Sequence, residues 1–260
     1  MRYLTLLRIF WSNAFATELE YRLNFFANAL LSLFWLGWAV AGMAVYFQFT
    51  DSVRGWTYPE LLVVVGFFFM ISGIRSALIT PNLARITEYV RMGTLDFLLT
   101  KPVDSQFMVS LRYVGIYNWF DPLLGLGLAA AGVIASGRDI TVTGVASGVL
   151  LVGCAVAILY ALSLALMSAG IRWVSSDGVD DLMFSIVETS RVPVDLYSGV
   201  VRTALTIIPV AFLTTVPAQA LLGRGDPAML AVAPIVAVGS VVAASVIWRL
   251  ALRSYTGASA

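Results

Sequence analysis

FFANALLSLFWLGWAVAGMAVYFQF, residues 25–49, carries no charged side chain and no proline. An α-helix rises about 1.5 Å per residue, so roughly 20 apolar residues cross a hydrocarbon layer about 30 Å thick. This run is long enough to do so. Beyond it, a short polar link with Asp51, Arg54, Pro59 and Glu60 leads to a second apolar run, 61–79, which Pro81 is expected to close. Four more follow at 111–136, interrupted by Asp121 and Pro122, and at 145–171, 203–222 and 228–248. The composition agrees: of 260 residues, 60% are hydrophobic and 12% charged, with a mean hydropathy of +0.89. The sequence predicts an all-α polytopic membrane protein, a single transmembrane domain over residues 1–260 with six transmembrane helices.

Several classes of chemistry are excluded early. The chain has no histidine and one cysteine, Cys154, so imidazole general bases, zinc sites built on His or paired Cys, and disulfides within the chain are ruled out. The single lysine, Lys101, precedes a proline, which leaves no phosphate-binding loop ending in Lys-Ser or Lys-Thr. No catalytic, cofactor-binding or metal-binding residue is expected. A net charge of +1 gives no general attraction for nucleic acid.

Arginine placement orients the spans. Under the six-span reading only Arg54, Arg138 and Arg224 fall in links on one side; the other basic residues, Arg85, Arg91, Lys101, Arg112, Arg249 and Arg253 among them, fall on the opposite side. Basic excess marks the cytoplasmic flank, so both termini are expected in the cytoplasm. Residues 1–23 form an interfacial amphipathic helix in this reading. Leu4, Leu7, Trp11 and Phe15 recur at helical spacing, and Thr5, Arg8 and Ser12 lie on another face.

The longest polar stretch, TPNLARITEYVRMGTLDFLLTKPVDSQF at 80–107, separates the second and third spans. Leu83, Ile86 and Val90 form an apolar stripe, and Arg85, Glu88 and Arg91 a charged one. Gly93 is a helix stop of the left-handed kind, Thr94 a cap for a second short helix through Leu98 and Leu99, and Pro102 its end. Asp104 caps the helix that follows. Pattern alone allows two roles for the stretch. One is a rigid element on which a cytoplasmic motor pushes; the other is a surface loop with its stripe in lipid and its arginines on phosphates.

The run ITEYVRMGTLDFLLTKPVDSQF resembles the segment after the second span in permease subunits of type-2 ABC exporters. The likeness rests on Gly93, Thr94, Leu95, Leu98, Leu99, Lys101, Pro102 and Val103. IIPVAFLTTVPAQALLG, from Ile207 to Gly223, is similar to the proline-containing segment before the last span in that family. The resemblance covers nearly the whole chain and is strongest to small permeases encoded beside a separate ATPase. It implies that 80–107 is a coupling helix segment that docks on a nucleotide-binding subunit through Arg85, Glu88, Arg91, Gly93, Thr94, Asp96, Lys101 and Pro102. It also implies ABC ATPase partners holding ATP and Mg, a multi-pass location in a bacterial plasma membrane, and a second permease copy or paralogue facing this one.

Three points stay open in the sequence. The family carries a re-entrant helical pair between its fifth and sixth spans, and Arg191–Gly223 fits it if the fifth span is 179–192. The acids Asp180, Asp181 and Glu188 oppose that placement, which favours 203–222 as the crossing. Asp121 is either a coupling acid or, as Asp-Pro suggests, the cap of a helix starting at Pro122. Arg75 either pairs inside the bundle or snorkels to the surface, which is favoured. Trp35, Trp38, Tyr46 and Phe68 are candidates to line a pathway, although aromatics also belt the membrane interface. The competing functional class is an ion-coupled secondary transporter or channel.

Overall fold

A computed structural model describes residues 2–18, 22–171 and 177–255. The helices in chain order are α1 (Arg2–Glu18), α2 (Arg22–Tyr46), α3 (Tyr58–Ile74), α4 (Thr80–Leu83), α5 (Arg85–Arg91), α6 (Leu95–Leu99) and α7 (Ser105–Ser110). Then come α8 (Phe120–Ala135), α9 (Val142–Gly170), α10 (Asp177–Glu188), α11 (Gly199–Ile207), α12 (Thr215–Leu221) and α13 (Pro227–Ser254). Among the described residues, five helical stretches are long and apolar enough to cross a membrane: Phe26–Tyr46, Tyr58–Arg91, Ile116–Ala135, Val142–Gly170 and Pro227–Ser254. Among the described residues no strand interrupts this all-α architecture. The expected close at Pro81 does not occur. A π-helical turn, Arg75–Ile79, precedes α4, and Pro81 sits in the first turn of that new piece, where its missing N–H costs nothing.

Small residues set the closest helix pair. α3 and α8 run antiparallel, with Gly66 against Gly125 and Ala129, Gly73 against Pro122, and Gly132 against Pro59 and Val63. A Cβ on Gly66 would stand 2.5 Å from the Ala129 backbone nitrogen, so the two backbones are in direct contact there. α9 and α13 instead run parallel. Their first turns line one cavity through Thr141, Ser147, Asp226 and Leu230, and farther along the Gln106 amide donates to both Tyr160 of α9 and Ser245 of α13.

Charge fixes the two ends of the bundle. At the start of α3 the Glu60 carboxylate, its side chain 3% exposed, accepts from Arg138 Nη2 and Arg224 Nη1 at 2.7 Å each. The Thr57 amide donates to it as well, at 3.0 Å. Arg54 donates to the carbonyls of Asp195 and Tyr197. The three arginines expected to share one side therefore gather at one end. Beyond the other end of α3, Arg75 pairs with Asp180 at 3.1 Å.

These contacts locate the return between parallel α9 and α13. Asp180 is level with Arg75, whereas Asp195 and Tyr197 are level with Arg54. The chain thus traverses the bundle between Asp180 and Asp195. From Asp180 to Glu188, α10 supplies about 12 Å of that path at 1.5 Å per residue, and 3₁₀ turns at Thr189–Arg191 and Val194–Leu196 complete it. The expected single crossing at 203–222 is corrected. Gly199–Ile207 and Val210–Leu221 are bent by 71°. Tyr197, just before the bent pair, and Arg224, just after it, are both held at the Glu60 end. The pair enters the bundle and returns to the same end. Pro209 removes an N–H at the bend, and the hydroxyls of Thr214 and Thr215 bond the Ser190 carbonyl and the Val194 amide, replacing lost helix bonds. The acids that argued against a crossing near 179–192 have partners: Asp180 meets Arg75 at the start of the path, and partway along it Glu188 meets Arg191 at 2.7 Å, with the Arg191 guanidinium over the Phe68 ring.

Two measurements check this fold. In a Cys154→Ser background, single cysteines at Ser198 and Gly223 should both react with an impermeant maleimide from the same side; labelling from opposite sides would restore the crossing at 203–222. Glu60→Gln should lower unfolding stability by about 3 kcal/mol, because two guanidinium groups lose their buried counter-charge, and a thermal melt in detergent reads this.

Candidate functional site

At the end of the bundle away from Glu60, the segment from Thr80 to Ser110 folds as four short helices around a buried stripe. Leu83, Ile86, Leu95 and Leu98 are all nearly inaccessible and join the main core with Ile158, Leu159 and Leu164 of α9. Each such aliphatic side chain contributes about 2 kcal/mol when removed from water. Val90 packs partly buried against the same cluster. Arg85, Glu88 and Arg91 are exposed on the opposite face of α5. The alternation expected from spacing is thus present in three dimensions.

The bend between α5 and α6 is also as expected. Gly93 has φ +66°, which an L side chain rarely adopts. Thr94 occupies the N-cap position of α6 but makes no side-chain cap bond, because its backbone is already helical (φ −83°, ψ −6°). Asp104 does cap α7, accepting from the Phe107 amide at 2.9 Å. Lys101 and Pro102 are exposed past the end of α6, and Asp96 is half-buried. Between the charges protrude apolar side chains that sequence reasoning did not select: Met92, Phe97 and Leu99, with Phe97 72% exposed. Their signal was present, since Phe97 and Leu99 flank the buried Leu98 on a helix too short to hide every side.

The segment is bolted to the bundle by polar contacts. Asn82 donates to the carbonyls of Leu78 and Tyr113 and accepts from the Tyr113 amide at 2.7 Å. From α7, Gln106 reaches Tyr160 and Ser245, Ser110 shares a 2.8 Å hydrogen bond with Tyr160, and Ser105 accepts from the Trp248 indole. α5 and α6 are thereby connected to α9 and α13 through hydrogen bonds and a packed core.

Beside it a cavity of about 450 Å³ opens between α2, α3, α8 and α10. Trp35, Phe68, Phe69 and Phe184 give it aromatic walls, and Arg75, Asp121, Glu188 and Arg191 give it charge. Of the four candidate pathway residues, only Trp35 and Phe68 meet there. Tyr46 lines a separate cavity nearer Arg54, and Trp38 lies on the exposed side of α2, stacked on Phe34. Two further expectations change. Arg75 does not snorkel: it is buried, bonded to Asp180 and to the Thr80 hydroxyl. Asp121 is not a cap, because α8 already begins at Phe120; its Oδ1 is buried and has no hydrogen-bond partner among the described residues. Removing either half of the Arg75–Asp180 pair should have unequal effects. Asp180→Asn strands a buried guanidinium and should cost about 3 kcal/mol, whereas Arg75→Gln leaves a carboxylate that water reaches and should cost about 1 kcal/mol. Paired melting curves give the comparison.

An all-helical bundle of membrane-length apolar helices with an ordered polar segment after its second span is the architecture on which the family likeness can be judged. Comparison with curated proteins and with solved structures gives no match. A family model described as ABC-2 family transporter protein matches residues 33–259. That match takes in the polar segment, the cavity and the bent helical pair, and leaves out only α1 and the first part of α2. The chain is a multi-pass membrane permease belonging to the ABC-2 family of transporter proteins.

Proposed function

We propose that this chain is the permease subunit of an ATP-driven exporter, working as a dimer with separate ATPase subunits that bind ATP and Mg. The observation that carries the reading is the α5–α6 surface. It presents Arg85, Glu88, Arg91 and Lys101 around exposed Met92, Phe97 and Leu99, on an element whose other face is buried in the bundle core. Apolar anchors inside a charged rim are the usual composition of a protein-binding patch. Both termini and this surface face the cytoplasm in this account.

ATP binding would draw the ATPase subunits together and push on α5 and α6. The cavity between α2, α3 and α10, the first, second and fifth crossings, lies beside that element and would change shape with it. α2 contributes a ridge of Leu30, Phe34 and Trp38 that is more than half exposed among the described residues. We assign that ridge to a second permease copy or paralogue, with the cargo path between the two. An ion-coupled transporter is the second reading, favoured by one observation, the unpartnered Asp121 oxygen in the cavity.

Reversing both charges, Glu88→Arg with Arg91→Glu, should leave the fold intact and reduce co-purification of the ATPase subunit by roughly tenfold or more, since like charges would then face each other across the contact. Unchanged co-purification and transport would remove the docking assignment. Cargo movement in liposomes without ATP or an ATPase subunit would establish the ion-coupled reading instead.

A further inference from the structure

We infer that the chain holds the phosphate headgroup of an anionic phospholipid in a cavity between α1 and the coupling segment. The cavity, of about 550 Å³, has α1 as one wall, through Ile9, Phe10 and Ala14. Arg85, Arg112 and Tyr113 form the facing wall. Both guanidinium groups lie over the Tyr113 ring, Arg85 at 4.2 Å and Arg112 at 5.3 Å from its centroid. Arg85 also donates its Nε–H to the Pro81 carbonyl. Neither arginine forms an ion pair among the described residues, whereas Arg75, Arg138, Arg191, Arg202 and Arg224 each have a carboxylate. Two guanidinium groups that line one cavity over the same ring, with no carboxylate partner among the described residues, leave N–H donors for an anion there. A phosphate fits that geometry because it accepts from two guanidinium groups at once.

Position selects a lipid over a free anion. Tyr113 is tied to Asn82, and Gly115 and Asn118 are tied to the carbonyls of Ala77 and Ser76, so the cavity lies just past Arg75, at the end of the membrane-length part of α3. α1 turns Phe10 and Ala14 toward the bundle and leaves Leu4, Trp11 and Phe15 exposed. An exposed apolar stripe beside a cationic cavity is a suitable place for acyl chains next to their headgroup. Because Arg85 belongs to the same short helix as Glu88 and Arg91, a bound lipid would brace the coupling surface against α1. The binding stands apart from the ATPase reading; only its consequence for coupling rests on that reading.

The test compares lipid retention by the full chain, without any ATPase, in nanodiscs of phosphatidylcholine mixed with phosphatidylglycerol. Native mass spectrometry after release should show phosphatidylglycerol retained preferentially by the wild type. Arg85→Gln with Arg112→Gln should cut that preference on the order of tenfold, while the control Arg249→Gln with Arg253→Gln, exposed at the end of α13, leaves it. Gel filtration confirms that both variants fold. Equal retention by the Arg85/Arg112 variant would overturn the site. Inorganic phosphate competing at millimolar concentration as effectively as phosphatidylglycerol would overturn the lipid assignment in favour of a free-anion site. Arg112→Gln alone, outside the coupling residues, should also lose phosphatidylglycerol preference, so failure of ATPase docking and failure of lipid binding remain separate results.

Discussion

Two long helices that run in the same direction oblige the chain to come back between them. α9 and α13 start together at the Glu60 end, and Gln106 bridges them farther along their length. Everything from Asp177 to Leu221 is shaped by that obligation. The return must cross an apolar layer, so its backbone needs partners throughout. It finds them in a short helix, 3₁₀ turns and the hydroxyls of Thr214 and Thr215. Once the return is spent by Asp195, the remaining chain has nowhere to go but in and out again, and the bent pair α11–α12 results.

Polarity is held by few charges, each at a level where its counter-charge waits. Glu60 gathers Arg138 and Arg224, and with them the ends of α8 and the start of α13. Arg75 and Asp180 do the same at the far end. A buried carboxylate with two guanidinium partners and a backbone amide has its lone pairs satisfied, which is the condition for a buried ion cluster to hold rather than weaken a fold. Between the two levels, Gly66 and Gly125 let α3 and α8 touch backbone to backbone.

Much of this was legible in the sequence. Apolar runs gave the five membrane-length helices, Gly93 marked a real left-handed turn, Asp104 a real cap, and the stripe of Leu83 and Ile86 a real buried face. The fifth crossing was not legible, because the cost of intramembrane charge was judged residue by residue. Asp180 and Glu188 each meet an arginine along that path, one of them, Arg75, more than a hundred positions away in the chain. Arg75 was misjudged for the same reason. Around α5 and α6, Arg85, Glu88, Arg91 and Lys101 are exposed, yet Met92 and Phe97 are exposed beside them, because hydropathy cannot tell a side chain that packs from one that is offered. The aromatic pathway candidates were chosen by type, and the fold brings only Trp35 and Phe68 into one cavity.

The central claim is that α5 and α6 form the surface on which a separate motor acts. It is tested most directly by placing a photo-crosslinking amino acid at Phe97 and irradiating intact membranes. The account predicts a covalent adduct with a second polypeptide carrying a phosphate-binding loop, captured more strongly when a non-hydrolysable ATP analogue is present. Adducts confined to lipid or to other copies of this chain would contradict it.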